Sequence, residues 1–252
     1  MRAPEKRLLL HVSRFGAGLF DLDGVLTRTA RVHAAAWTMA LDEFLARRAG
    51  GQRFQAFDAE RDYRAWVDGK PRQDGVRDFL ASRGLRLPEG APSDPPGYET
   101  VWALANRKDA LFAAALRRQG VDVVPGAPEL VRELRRAGLR LAVVSASRHC
   151  GEVLDAAGMR ALFDAQMDGL EMARLGLRGK PAPDTFLAAA ARLGVPPPRA
   201  FVVEDALAGV EAGRRGGFAL VVGVDAGAGA DALRARGADV VVRSVADLVV
   251  VP

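Results

Sequence analysis

Apolar positions change their spacing partway along the chain. From about residue 29 to 48 they fall near helical intervals, at Trp37, Leu41, Phe44 and Leu45, with His33 on the same pattern, and Gly50-Gly51 ends the run. Helical spacing without a convincing strand continues to about residue 118, over 60–67, 75–83 and 100–118. Between the last two, the prolines and glycines of 87–97 predict a loop. After Val121 the pattern becomes one of short apolar runs alternating with amphipathic stretches. Strands are predicted at 139–144, 163–167, 200–203, 219–224 and 238–242, and helices at 127–137, 152–157, 184–193, 207–213 and 230–236. Such alternation predicts parallel βαβ units. Residues 1–17 read as an extension leading into a first strand, so the economical architecture is one α/β domain with a helical insertion after that strand.

Several of the apolar runs end abruptly in chemistry. The first, Leu19-Phe20-Asp21-Leu22-Asp23-Gly24-Val25-Leu26-Thr27, ends in two carboxylates one residue apart. Alternate side chains of an extended segment point the same way, so Asp21 and Asp23 can face one site, at the strand end where open parallel sheets bind ligands. A surface turn is the plain alternative. A calcium loop fails on its continuation, because Val25 and Leu26 intervene and Val32 stands where the closing Glu belongs. Leu141 through Ser147 delivers hydroxyls, with Ser145 and neighbouring backbone N–H groups suited either to phosphate oxygens or to helix capping. Gly179-Lys180-Pro181-Ala182-Pro183-Asp184 fixes a lysine between conformationally restricted residues. Phe201 through Asp205 ends in adjacent acids, Glu204 and Asp205, which with Asp21 would make an oxygen-rich magnesium site; capping by Asp205 is the alternative.

Composition adds three constraints. At 252 residues, 49% hydrophobic and 27% charged, the chain suits a soluble globular protein. Without a long apolar run or a signal-peptide pattern, it is expected to be cytoplasmic, with no membrane partner. Cys150 is the sole cysteine, so an intramolecular disulfide is excluded. The net charge of +5 comes from dispersed residues without interleaved aromatics, and no nucleic-acid partner is expected. Of 36 basic residues only Lys6, Lys70, Lys108 and Lys180 are lysines, which singles out Lys180 as a site needing a compact ammonium.

Taken in order, the four strand ends resemble the motifs of the haloacid dehalogenase superfamily, and within it the β-phosphoglucomutase-like branch. The resemblance spans nearly all of the chain beyond residue 17. It implies a Rossmann-like core of parallel sheet flanked by helices, at 1–34 and 119–252, with an inserted all-helical cap at 35–118. It implies that Asp21 attacks phosphorus to form an aspartyl-phosphate and that Asp23 serves as general acid and base. Magnesium would be held by Asp21, the Asp23 carbonyl and Asp205, with Glu204 in or beside its shell, while Ser145, Ala146 and Lys180 grip the phosphoryl oxygens. In the cap it points to Thr29, His33 and Trp37 near the hinge and substrate, and to Gly69, Lys70 and Arg72 in a specificity loop, Arg72 holding a phosphate that is not transferred. Asn106, Arg107 and Lys108 are further phosphate-binding candidates, and Ser147 a further substrate contact. The cap loop departs from the branch, with Asp68 in place of lysine and Gly75 in place of serine. The expected activity is interconversion of β-glucose 1-phosphate and glucose 6-phosphate, with a sugar-phosphate phosphatase as the alternative and a non-enzymatic phosphoaccepting regulator as a remote one. The expected partner is a small phosphorylated sugar. A monomer is expected, with a dimer as the alternative.

Overall fold

A computed structural model describes residues 7–252, which fold as two compact units. The first comprises residues up to Arg28 together with Val121–Pro252, and the second is Thr29–Gly120. The crossings fall after Arg28 and after Gly120, where the resemblance implied 34/35 and 118/119.

The first unit holds the strands β1 (Leu8–His11), β2 (Ala17–Phe20), β3 (Arg140–Val144), β4 (Ala165–Met167), β5 (Ala200–Glu204), β6 (Leu220–Val224), β7 (Val240–Val242) and β8 (Leu248–Val251). Six of them form one parallel sheet in the order β4-β3-β2-β5-β6-β7. The order reverses at β2, so the carboxyl ends of β2, β3 and β5 converge where a doubly wound sheet places its ligand site. β2 is buried at all four positions, as expected of a central parallel strand. Residues Leu19, Ala142, Val144 and Val202 pack on one face against Phe186, Ala189, Ala190 and Leu193. On the other, Phe201 meets Phe15 and Phe20 edge-on, with ring centroids 5.2 and 5.9 Å away.

The extension expected for residues 1–17 contains a strand, since β1 pairs with β8 in a separate parallel ribbon with Leu8 opposite Leu248. Residues 1–6 lie outside the described ones. Among the described residues this unit has six α-helices: one at Ala127–Arg136, one at Cys150–Ala156, a short one at Gly169–Leu175 that the spacing does not predict, and three at Asp184–Leu193, Leu207–Arg215 and Ala230–Ala235. Asp168 caps the unpredicted helix by accepting from the Leu170 and Glu171 amides, both at 2.9 Å.

The second unit is helical, built on α1 (Ala30–Ala49), α2 (Arg72–Ser82) and α3 (Val101–Gln119), with a π-helical turn at Tyr63–Val67. Gly50 ends α1 in the left-handed conformation. Trp37, Leu41, Phe44, Phe79, Leu80 and Leu104 are buried together in its own core. Among the described residues no helix is long and apolar enough to cross a membrane.

Candidate active site

Asp21 follows β2 directly, and its amide still donates to the Val203 carbonyl at 3.0 Å, so the strand's hydrogen bonding fixes its backbone. One carboxylate oxygen accepts the Asp23 amide at 2.8 Å, and the other accepts Lys180 Nζ at 2.5 Å. The chain then turns. Gly24 has φ +96°, and a Cβ there would lie 1.9 Å from Asp205 Oδ2, so no other residue fits without displacing an acid. The turn closes through Gly24 N–H to the Thr27 carbonyl at 2.6 Å and Thr27 Oγ1 to the Leu22 carbonyl at 3.2 Å.

Lys180 is buried and donates to three acceptors: Asp21 Oδ1, Glu204 Oε1 at 2.6 Å and the Val144 carbonyl at 3.1 Å. An ammonium has three protons, and the site supplies one acceptor for each. The Val144 carbonyl was not foreseen, because no sequence signal marks a backbone oxygen at a strand end. The second Glu204 oxygen accepts the Ala206 amide at 3.0 Å, and a Cβ on Gly209 would lie 1.7 Å from Glu204 Oε1, so that glycine makes room for the carboxylate. Ser145 Oγ donates to Asp23 Oδ2 at 3.3 Å and accepts the Ser147 amide at 3.1 Å, which holds the hydroxyl loop against the second aspartate.

Burial is the strongest influence on Asp21 and holds its carboxyl well above the ordinary value. Lys180 opposes this, while Glu204 and Asp23 add to it. Burial alone would depress Lys180, but Asp21 and Glu204 outweigh it and leave the ammonium holding its proton more tightly than an exposed lysine. Ligand oxygens of Asp21, Glu204 and Asp205 lie within 4.8 Å of one another, all three residues buried. Two of these carboxylates share the Lys180 ammonium, and Asp205 adds a third to the cluster. An all-oxygen donor set of this kind fits a hard divalent cation.

Thus Asp21, Asp23, Ser145, Lys180, Glu204 and Asp205 come together, with Ala146 and Ser147 on the adjoining loop. Cys150 lies buried near this loop, and burial pushes its thiol up.

The residues singled out in the second unit form other groups. Lys108 is buried with Nζ 2.6 Å from His33 Nδ1; since an ammonium only donates, that ring nitrogen is the acceptor. Lys108 also lies 5.2 Å from the Trp37 ring centroid and 5.1 Å from that of Phe112, on which His33 stacks at 3.8 Å. Thr29 is buried at the head of α1, where its carbonyl accepts the His33 amide. Gly69 has φ +69° in the loop before α2, Lys70 pairs with Asp78 at 2.7 Å, and Arg72 Nη2 donates to Asn106 Oδ1 at 2.9 Å. Arg107 pairs with Glu43 at 3.0 Å.

A family model described as haloacid dehalogenase-like hydrolase matches residues 17–217. A β-phosphoglucomutase of Mycobacterium tuberculosis is 48% identical over 92% of this chain and 90% of its own length. Among solved structures, a β-phosphoglucomutase of Clostridium difficile superposes with a TM-score of 0.73 at 25% identity, covering 93% of both chains. A variant of CbbY from Rhodobacter sphaeroides, solved with xylulose-(1,5)bisphosphate, superposes at 0.66 with 25% identity, covering 94% of this chain and 97% of that one. With the sheet order as described and the four motifs gathered at one site, the chain belongs to the haloacid dehalogenase-like hydrolases.

Proposed function

We propose that the protein is a β-phosphoglucomutase, interconverting β-glucose 1-phosphate and glucose 6-phosphate through an aspartyl-phosphate on Asp21. The observation that carries the reading is the pairing of two unlike carboxylates: Asp21, buried and 2.5 Å from Lys180, and Asp23, two residues on and within reach of the Ser145 hydroxyl. A buried carboxylate held by a fixed ammonium suits a nucleophile. A less buried one beside a hydroxyl suits proton traffic.

An Asp21 oxygen attacks phosphorus, the bond from phosphorus to the sugar oxygen breaks, and Asp23 gives that oxygen its proton. In the return half, a sugar hydroxyl attacks the aspartyl-phosphate, Asp23 takes the hydroxyl proton, and the Asp21 carboxylate is released. Lys180, Ser145 and the Ala146 backbone hold the phosphoryl oxygens. Asp21, Asp205 and the Asp23 carbonyl, with Glu204 beside them, would bind magnesium. Bound there, the cation offsets the repulsion between a carboxylate and an anionic phosphate. Arg72 recognises the phosphate that is not being transferred, as a planar guanidinium does well. Support for the sugar phosphate comes from the mycobacterial relative's name, and for a second phosphate from the bisphosphate bound to CbbY.

The test is incubation with magnesium, β-glucose 1-phosphate and a trace of glucose 1,6-bisphosphate, following glucose 6-phosphate and free phosphate separately. Glucose 6-phosphate with little free phosphate is expected. Stoichiometric phosphate release would make the protein a phosphatase and overturn the mutase.

A further inference from the structure

Residues 88–99 of the second unit contain four prolines and two glycines and no regular structure, yet they are tied to the first turns of α3. The Val101 amide donates to the Pro88 carbonyl at 2.9 Å, and the Trp102 amide to that of Glu89 at 3.2 Å. Thr100 Oγ1 donates to Asp94 Oδ2 at 2.5 Å while accepting the Ala103 amide at 2.9 Å, and the Gly97 amide returns to the Ala103 carbonyl at 3.0 Å. Amides that a helix start leaves unpaired are thereby used to anchor the loop.

One turn further on, Asn106 makes the connection that matters. Its Nδ2 donates to the Asp94 carbonyl at 2.8 Å and the Pro92 carbonyl at 3.2 Å, which leaves Oδ1 for Arg72 Nη2 at 2.9 Å. Trp102 lies four residues before Asn106, hence on the same helix face, and the Arg72 guanidinium sits 5.3 Å from its ring centroid. Loop carbonyls only accept and a guanidinium only donates, so a single side chain bridging them must donate at one end and accept at the other. A carboxamide does so without carrying charge. A carboxylate would oppose the two carbonyls and neutralise the guanidinium, and an ammonium would repel it.

From this geometry we infer that Asn106, anchored by loop 88–97, is a positioning residue that sets the pose of Arg72 and, through it, the place of the substrate's second phosphate. The inference rests on the reading of Arg72 given above. Because the loop carbonyls fix Asn106, the loop is a specificity determinant even where it touches no substrate.

The test measures glucose 6-phosphate formation from β-glucose 1-phosphate by the full-length magnesium enzyme, comparing wild type with Asn106→Ala, the isosteric Asn106→Asp, Arg72→Ala and the double variant Arg72→Ala/Asn106→Ala. Each Asn106 variant is expected to raise KM about five- to tenfold, roughly what one net hydrogen bond contributes, with kcat falling less than twofold. The double variant should be no worse than Arg72→Ala alone. If Arg72→Ala raises KM and both Asn106 variants do not, the positioning role is overturned while the reading of Arg72 stands. If Arg72→Ala leaves KM unchanged, the reading of Arg72 falls, and this inference with it. If the Asn106 variants lower kcat without raising KM, or their effect adds to that of Arg72→Ala, the role is structural and the inference is wrong. Asn106→Asp preserves volume, so the comparison survives if Asn106→Ala folds poorly.

Discussion

Lys180 is the residue on which the electrostatics of the first unit turn. It is the buried partner of both Asp21 and Glu204, and Lys180→Met would leave two carboxylates facing each other in the interior. Removing one partner of a buried pair costs about 3–5 kcal/mol, and urea unfolding at neutral pH should report a loss of that size together with loss of phosphoryl transfer. The pH dependence follows from the raised folded-state value of the ammonium. Its stabilising contribution is complete below the unfolded-state value of about 10.4 and is lost only as pH rises through the higher folded one. The ammonium's own share of the difference between wild type and variant should therefore stay constant up to about pH 10. Gly24 is the other residue with little tolerance, since its φ of +96° and the nearby Asp205 carboxylate both exclude a side chain. Gly24→Ala should move Asp205 and weaken magnesium activation roughly tenfold, read from the magnesium concentration giving half-maximal rate.

At the scale of elements, the second unit offers a test that involves no chemistry of the first. Asp62, buried just before the π-helical turn, accepts from the Asp58 amide at 3.0 Å, Arg83 at 2.6 Å and Arg61 at 3.2 Å. Burial alone would raise its carboxyl, but these three partners bring it below the ordinary range. A depressed folded value means stability that is present above the unfolded value and lost as pH falls through the folded one. Asp62→Asn should lower stability by about 1–3 kcal/mol at pH 7 in chemical denaturation, and the gap should close in strong acid. The elements most legible in the sequence were those with a local cause. Helix Asp184–Leu193 and strands β3, β5 and β6 fall within a residue of their predicted limits, because an apolar run and a proline or glycine boundary mark each. The β1–β8 ribbon was illegible, since neither short apolar end signals that the other is its partner. The helix at Gly169–Leu175 was missed because two turns are too few to show a period, although Asp168 with Glu171 three residues later is a cap signal that could have found it. The part played by Asn106 depends on a loop folding back on its own helix, which residue spacing cannot reveal.

For the whole molecule, the strand order explains why residues as far apart in sequence as Asp21, Ser145, Lys180 and Asp205 could be read as one site from the chain alone. Asp21, Ser145 and Asp205 each follow a buried strand, and parallel topology brings such ends to one edge, while Lys180 reaches them from the loop before helix Asp184–Leu193. The cap residues were harder to place, because Trp37, Lys108 and His33 meet through tertiary packing of helices rather than at strand ends. The net charge of +5 also acts at this scale. A cationic chain drawing in an anionic sugar phosphate should show kcat/KM falling as ionic strength rises at fixed magnesium, and a flat response would deny long-range steering. The central claim, that phosphoryl groups pass through Asp21, is most directly tested by quenching the working enzyme in acid within a turnover and mapping the modified peptides by mass spectrometry. A phosphoryl group on the peptide containing Asp21, present in wild type and absent in a folded Asp21→Asn variant, is the predicted result. Turnover by Asp21→Asn, or a phosphoryl group on any other residue during turnover, would contradict it.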